Sequence, residues 1–564
     1  MLLTCAAISG TMLALPAPAP AALFGAPQVL APTAADEDLA VAAGPGGRAA
    51  VSWSRAAGRI ALVAGAERPD GLTAFGMPQA RTGAAQLGDG SHASAYGPDG
   101  VLQSLWIGLD GTSAKIQTGD PAAPTVLDRP AGPISVAFAI GADGTAAAVW
   151  RTLPTMLLRG GVIRVAVRPA GGAWSAPVEL QSSDILGQLA GPRVAVAGDG
   201  AVTVAWAQDD GAGDQAVAVR HRPAGGTFGP PQLVAVKGPG AVTTLLLIGR
   251  RDGTQTLVAS EGLSSTLEAF DGTAGRFGAP TTVGTTGEFG GSVQLAGNDR
   301  GDLALAFTGG RTATRYARTQ LAYRPAGGAW TQPAPVGGCG GRRRALAVDA
   351  GGRTVVAYEQ RPGASAPASS GTPGPGSLFT AVRHADGQWW APEELASGHD
   401  STAPAIAVDD AAGVVLAARV EGRVQAYSGT LAPADPPATV TEVGSEAYCP
   451  IPPPVPVLLP TVAAGAPVVR LTAALDARRR RATAAIRCPR GTRRCTGVLA
   501  LVAPGARRNL VARRFDLAAG RARSFVLTPP RTTRLHGRTF TILATTAGPD
   551  GHAAVVRRAV RAPR

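Results

Sequence analysis

Histidines, carboxylates, cysteines and clustered arginines are the usual starting points for protein chemistry, and this chain of 564 residues contains all four. Its six histidines (His92, His221, His384, His399, His536 and His552) are scattered, with no HxH or HxxxH spacing to hold a metal. His221 and His384 recur at related places in similar strings, which points to repetition rather than catalysis. Asp209, Asp210 and Asp214 in "DDGAGD" could gather oxygens around calcium. A polar hairpin explains them more simply, so neither a metal nor a cofactor is expected. No G-x-S-x-G elbow, phosphate-binding loop or paired Cys/His nucleophile occurs.

The arginines are unevenly distributed. From residue 469 onward there are 22 arginines against three acids (Asp476, Asp516, Asp550), a net charge of +19. The preceding part holds 31 basic and 36 acidic residues, a net of −5. Lys115 and Lys237 are the only lysines. The densest basic run is Arg478, Arg479, Arg480 and Arg481, with Arg487, Arg490, Arg493 and Arg494 close behind. Such a patch is a candidate anion-binding site for a cell-wall polymer or an acidic glycan. Nucleic acid is the partner favoured least, because aromatics for base stacking are almost absent from this region.

The start, "MLLTCAAISGTMLALPAPAPAAL", has an apolar core followed by Ala17-Pro18-Ala19 and Ala19-Pro20-Ala21, two small-x-small cleavage sites. Residues 1–22 are therefore similar to a secretory signal peptide. The prolines from Pro16 on disfavour a spanning helix, and Leu2-Leu3-Thr4 before Cys5 is a poor lipobox. The expected location is extracellular or cell-surface. In that setting Cys488 and Cys495 of "CPRGTRRC" are expected to form a disulfide clamping a hairpin. For Cys339 and Cys449 spacing decides nothing.

The elements that must position these residues follow a repeat. A turn and strand recur as "GPGGRAAVSW" ending at Trp53, "GPDGVLQSLW" at Trp106, "GADGTAAAVW" at Trp150 and "AGDGAVTVAW" at Trp206. Weaker copies end at Ala259, Phe307, Tyr358 and Arg419, giving spacings of 44 to 61 residues. A second element follows, as in "VAVRPAGGAWSAPVEL" (165–180) and "AVRHADGQWWAPEEL" (381–395). With 75 glycines, 47 prolines and no uninterrupted helical period, the chain reads as all-β. Units of four strands near fifty residues apart predict a β-propeller, eight-bladed in preference to seven. The last unit has three strands and lacks the fourth, while "LFGAPQVL" (23–30) is a fourth-strand motif standing alone. The N-terminal stretch is thus expected to complete the last blade. All eight tryptophans fall in the repeat register, with only Trp390 left over as a surface aromatic.

The turns in "RHADGQWW" (Asp386, Gly387, Trp389) and "RPDGLTAF" (Asp70, Gly71, Phe75) are similar to degenerate Asp-boxes of sialidase-type propellers. That resemblance covers roughly residues 23–430 and implies the fold of a propeller domain expected over 23–445. It does not place a catalytic set, since Asp-boxes lie away from the catalytic face. Beyond the proline-rich linker 446–468, about seven short strands in 469–564 predict a small basic β-sandwich, immunoglobulin-like in architecture. The preferred reading is an exported, non-enzymatic binding protein whose ligand is a glycan, a cell-wall polymer or a protein. The alternative is a sialidase-like glycan hydrolase, which requires arginines and two carboxylates converging at the central channel.

Overall fold

The computed structural model describes residues 22–32, 39–57, 60–85, 92–110, 113–119, 123–130, 133–152, 161–183, 191–209, 215–234, 242–261, 266–286, 293–309, 318–339, 344–360, 376–399, 402–433, 436–437, 439–440 and 443 of the first compact unit. Of the second it describes residues 470–476, 481–489, 494–502, 509–529, 539–547 and 553–561. The leader before Ala22 and the expected linker 446–468 lie outside these residues. No helix among the described residues is long and apolar enough to cross a membrane.

The first unit is a β-propeller built from antiparallel sheets. Repeat 1 runs through strands Leu39–Ala43, Ala49–Ala57, Ile60–Arg68 and Gln79–Ala85. Repeat 2 comprises His92–Tyr96, Leu102–Asp110, Ser113–Thr118 and Thr125–Asp128, joined to repeat 1 through the single pairing Ala85↔Gly108. Repeat 3 is Pro133–Ile140, Ala146–Thr152, Gly161–Arg168 and Val178–Ser183, and repeat 4 is Arg193–Val196, Val202–Asp209, Gln215–Arg222 and Gln232–Val234. Repeat 5 begins at Val242–Gly249, repeat 6 at Gln294–Gly297, repeat 7 at Arg344–Val348 and repeat 8 at Thr402–Val408. These first strands touch one another in chain order, and the strand of repeat 8 returns to that of repeat 1. The ring is closed.

Sheets stacked face to face around a ring bury their central strands on both sides. The second strand of repeat 3, Ala146–Thr152, is therefore buried at every position, and its first five residues, Ala146 to Trp150, read as a continuous apolar run rather than an alternation. Ala147 and Val149 pack towards repeat 4, while Trp150 packs against Leu105, Ile107 and Ile116 of repeat 2. Small residues on one face and an aromatic on the other fill the wedge between adjacent sheets. The prolines of the fourth-strand motif fall at the outer edge, where a missing N–H breaks no ladder. The tight turn before it places Gly171 at φ 65°, a left-handed conformation that glycine adopts without strain.

Repeat 8 has Thr402–Val408, Gly413–Val420 and Arg423–Thr430 from the C-terminal part of the ring, and its fourth strand is Gln28–Ala31. Phe24 adds a bridge to Gly429. The N-terminal stretch completes the last sheet, as its sequence motif predicts.

Among its described residues the second unit has seven strands in two sheets. Arg470–Asp476, Arg481–Arg487 and Ala522–Leu527 form one, and Asn509–Ala518, Arg494–Val502, Thr539–Ala547 and Ala553–Arg561 form the other. Their shared core includes Ile486, Leu499, Leu501, Phe515, Phe540 and Ile542. The fourth strand pairs with the third, giving three plus four, whereas antibody constant domains place it in the four-stranded sheet of the first strand.

Candidate functional site

The repeated aspartates hold turns together. Asp99, Asp143, Asp199 and Asp252 each accept the backbone N–H two residues on, at 2.9 to 3.0 Å. Asp386 does the same for Gln388 at 2.9 Å in the Asp-box-like turn. An Asx turn of this kind replaces a missing ladder bond at a strand start. Asp209 ends strand Val202–Asp209 opposite Gln215, so the "DDGAGD" string joins antiparallel neighbours; Asp210 and Asp214 lie outside the described residues. No cluster among the described residues could hold a metal. His221 Nδ1 sits 3.0 Å from Thr203 Oγ1, its cross-strand neighbour, and His384 meets the edge of Trp390. Both serve packing.

The other end of the ring carries a second set of charges. Arg151 and Glu359 each follow the aromatic near the end of a second strand, Arg193 and Arg344 open first strands, and Glu268 lies near the start of a third. Arg151 and Arg344 are 5% and 3% exposed, and Glu268 and Glu359 are 0% and 2%. Arg193 donates through Nε to the Leu245 carbonyl at 3.0 Å, and Arg344 donates to Thr308 Oγ1. Burial pushes the Arg151 and Arg193 guanidiniums down and that of Arg344 to about 10. Thus this end is not lined by apolar and small residues alone. Yet Glu268 lies on the face of its strand shared with Phe270, towards repeat 4, and Glu359 lies on the face shared with Val355 and Ala357, towards repeat 8. The two carboxylates occupy different seams instead of facing across one cleft. Sequence reasoning missed this belt, although the strings Trp150-Arg151 and Tyr358-Glu359 carry its signal: a charge directly after the core aromatic.

A third feature lies at the seam between repeats 7 and 8. A cleft of about 140 Å³ is lined by Leu23, Thr380, Val382, Trp390, Pro392 and Glu393, with Ala22 at its edge. Trp390, expected as a surface aromatic, is instead 3% exposed. Repeat 7 splits its outer strand into Trp389–Trp390 and Glu393–His399; Trp389 packs towards repeat 6, and Trp390, on the opposite face, packs against Val382, Leu23 and Phe24. Glu393 accepts the Leu23 N–H at 3.0 Å, and burial pushes its carboxyl up.

In the sandwich, Arg481 begins its strand opposite Asp476 and is exposed; Arg478, Arg479 and Arg480 lie outside the described residues. The Cys488–Cys495 disulfide is formed, with Cα atoms 5.8 Å apart and both residues fully buried. The expectation of a hairpin clamp needs correcting. Cys488 follows Arg487 of one sheet and Cys495 lies in Arg494–Val502 of the other, because the short connection crosses between sheets. The bond ties the two layers together. Cys339 ends strand Ala334–Cys339, and Cys449 lies outside the described residues.

No family model matches the chain, and no curated protein matches it in sequence. Among solved structures it is similar to puromycin hydrolase, with a TM-score of 0.40 and 15% identity, over 71% of this chain and 62% of that one. It is also similar to the α-L-arabinofuranosidase Arb93A from Fusarium graminearum (TM-score 0.31, 14% identity, 53% and 93% of the two chains). A third is prolyl oligopeptidase B from Galerina marginata (TM-score 0.33, 9% identity, 62% and 47%). The chain thus spans less than two thirds of the puromycin hydrolase chain. Likenesses of this depth carry no activity across, and the fold rests on the chain's own sheets.

Proposed function

We propose that this chain is an exported, non-enzymatic binding protein: an eight-bladed propeller that engages a ligand, carried on a basic sandwich that associates with anionic surfaces. One contrast between its arginines supports the reading. In the propeller Arg68 donates to the Gly47 carbonyl and Ser428 Oγ, Arg193 to Leu245 and Arg353 to Asp349, so these cations serve the fold. In the sandwich Arg481, Arg487, Arg513, Arg521, Arg523 and Arg558 are exposed. Charge left at a surface, with +19 net over 469–564, is available to phosphate or carboxylate polymers.

The test is retention of the full chain on immobilised dextran sulfate under a salt gradient. Replacing Arg478–Arg481 with Gln should lower the eluting salt concentration and flatten the salt dependence, since exposed charges are screened within about 8 Å at physiological ionic strength. Unchanged elution would remove the adhesive role. A glycan hydrolase is the second reading: Arg151, Arg193, Arg344, Glu268 and Glu359 gather charge at one end of the ring, but the two carboxylates lie in different seams, which weighs against it. Release of reducing sugar from an arabinan or sialoglycan panel, lost in Glu359→Gln or Glu268→Gln, would establish it over the first.

A further inference from the structure

The chain enters the ring beside the cleft at the repeat 7–8 seam, and the chemistry of that cleft is one-sided. Leu23 N–H donates to Glu393 Oε2 at 3.0 Å, and the same carboxylate takes the Phe24 N–H. Leu23 and Phe24 are 7% and 5% exposed, so the entry point is packed. Glu393 stands directly opposite Thr380 on the neighbouring strand Gly376–Arg383, which puts both side chains on one face of the sheet. Thr380 is 1% exposed, and its Oγ1 has no hydrogen-bond partner among the described residues. The Trp390 indole, 3% exposed, walls the same cleft. A half-buried carboxylate, a buried hydroxyl without a partner and an aromatic wall suit one kind of group: a small cation with several N–H donors.

Such a group lies within one residue of the site in the sequence. Ala22 lines the cleft and precedes Leu23, but in the uncut chain it offers only an amide N–H. Ala19-Pro20-Ala21 places small residues third from last and last before the Ala21–Ala22 bond, one residue ahead of the 1–22 bound expected for the leader. Cutting after Ala19 instead would leave Pro20 just beyond the scissile bond, with a fixed φ and no N–H to offer a peptidase.

We propose that the Ala21–Ala22 bond is hydrolysed and that the new α-ammonium of Ala22 seats in this cleft between the Glu393 carboxylate and the Thr380 hydroxyl, fastening repeat 8 to repeat 7. A peptidase of the export machinery adds water across the bond, leaving a carboxylate on Ala21 and an ammonium on Ala22. Cutting at this bond rests on the export reading above; the seating of the ammonium does not. The ammonium holds Glu393 ionised in surroundings that otherwise favour its protonated form.

The experiment compares residues 22–564 released with a free Ala22 amine against the same chain carrying Gly-Ser ahead of Ala22. The free form should melt about 3 °C higher at pH 7, on the scaling of melting temperature with stability for a large domain. That gap should close in Glu393→Gln, which keeps an acceptor for Leu23 and Phe24 but removes the charge. It should also shrink as the amine loses its proton above about pH 8. Equal melting of the two forms, or a gap that survives Glu393→Gln, overturns the latch whether or not the protein is exported. N-terminal mass mapping of protein exported from a bacterial host tests the cut separately. A mature start at Ala22 supports it; any other start on an exported chain overturns the cut while leaving the export reading intact.

Discussion

Gln28 and Phe75 exchange two hydrogen bonds: the Gln28 amide donates to the Phe75 carbonyl at 2.8 Å, and the Phe75 N–H donates to Gln28 Oε1 at 2.7 Å. Gln232 and Phe277 repeat the pattern at 3.2 and 3.1 Å. Gln232 lies on the fourth strand of repeat 4 and Phe277 on the outer edge of repeat 5. Gln28 therefore occupies in repeat 8 the place that Gln232 occupies in repeat 4, and it reaches the next repeat in the same way. The strings "GAPQVL" (25–30) and "GPPQLV" (229–234) encode one interlocking device, used once inside the ring and once to close it.

Removing that device should weaken closure more than it weakens an interior seam. Gln28→Ala leaves the Phe75 N–H and carbonyl without partners, at a cost of about 1–3 kcal/mol. Gln232→Ala should cost a similar amount, but with covalent connection on both sides it should leave the ring shut. Deleting residues 23–31 exposes the edge of strand Arg423–Thr430 and should promote aggregation. Light scattering and thermal melts separate the cases; a deletion variant that is monomeric with an unchanged melting temperature would refute the closure.

Gly429 provides a steric check on the same seam. A Cβ there would meet the Leu23 carbonyl oxygen at 2.3 Å. The entering chain passes too close for any side chain. Gly429→Ala should lower the melting temperature and increase proteolysis near residues 22–32, whereas Gly71→Ala, with open space around it, carries only the strain of its positive φ.

His92 should make stability pH-dependent. Its ring lies at the seam of repeats 1 and 2, with Nε2 3.4 Å from Ser52 Oγ, and burial pushes its pKa down from 6.5 to about 4. The folded form stays neutral while the unfolded chain takes up a proton below pH 6.5. Stability is therefore fully present above pH 6.5 and falls as the pH drops towards 4, by about 1–2 kcal/mol at pH 5. Urea midpoints between pH 7 and 5 should show this slope in the wild type and lose it in His92→Gln.

Asp128 pins repeat 2 to repeat 3 by accepting Trp150 Nε1 at 3.0 Å and Arg164 at 3.1 Å. Asp128→Asn retains an acceptor for the indole and should cost about 1 kcal/mol or less. Asp128→Ala strands the buried indole N–H and should cost about 1–3 kcal/mol. Equal denaturation midpoints for the two variants would show that the indole bond contributes nothing.

Loss of the sandwich disulfide should act on the second unit. The Cys488–Cys495 bond closes a short loop between two sheets, and losing it removes about 2 kcal/mol by chain-entropy reasoning. Calorimetry of a Cys488→Ala/Cys495→Ala variant should show a lowered sandwich transition and an unchanged propeller transition.

The sequence by itself determined the fold class, the repeat and the ring closure, because each rests on local chemistry. Glycine turns, the aspartates that cap them and the aromatic ending each second strand recur in register, and the orphan motif at 23–30 can only serve the unit that lacks it. The bond between Cys488 and Cys495 was legible from spacing for the same reason. What spans the bond was not, since pairing within seven residues says nothing about which sheet each strand joins. Trp390 shows the same limit: one residue past Trp389 it faces repeat 8 instead of repeat 6, and Leu23 and Phe24 from the other end of the chain cover it. Tertiary structure alone decided the seams. Arg151 and Glu359 are marked in sequence only by following a core aromatic and Glu268 by nothing, and the burial of all three comes from the next sheet around the ring. Thr380 and Glu393 become one acceptor site only because their strands pair and residues 22–24 arrive from the other end of the chain.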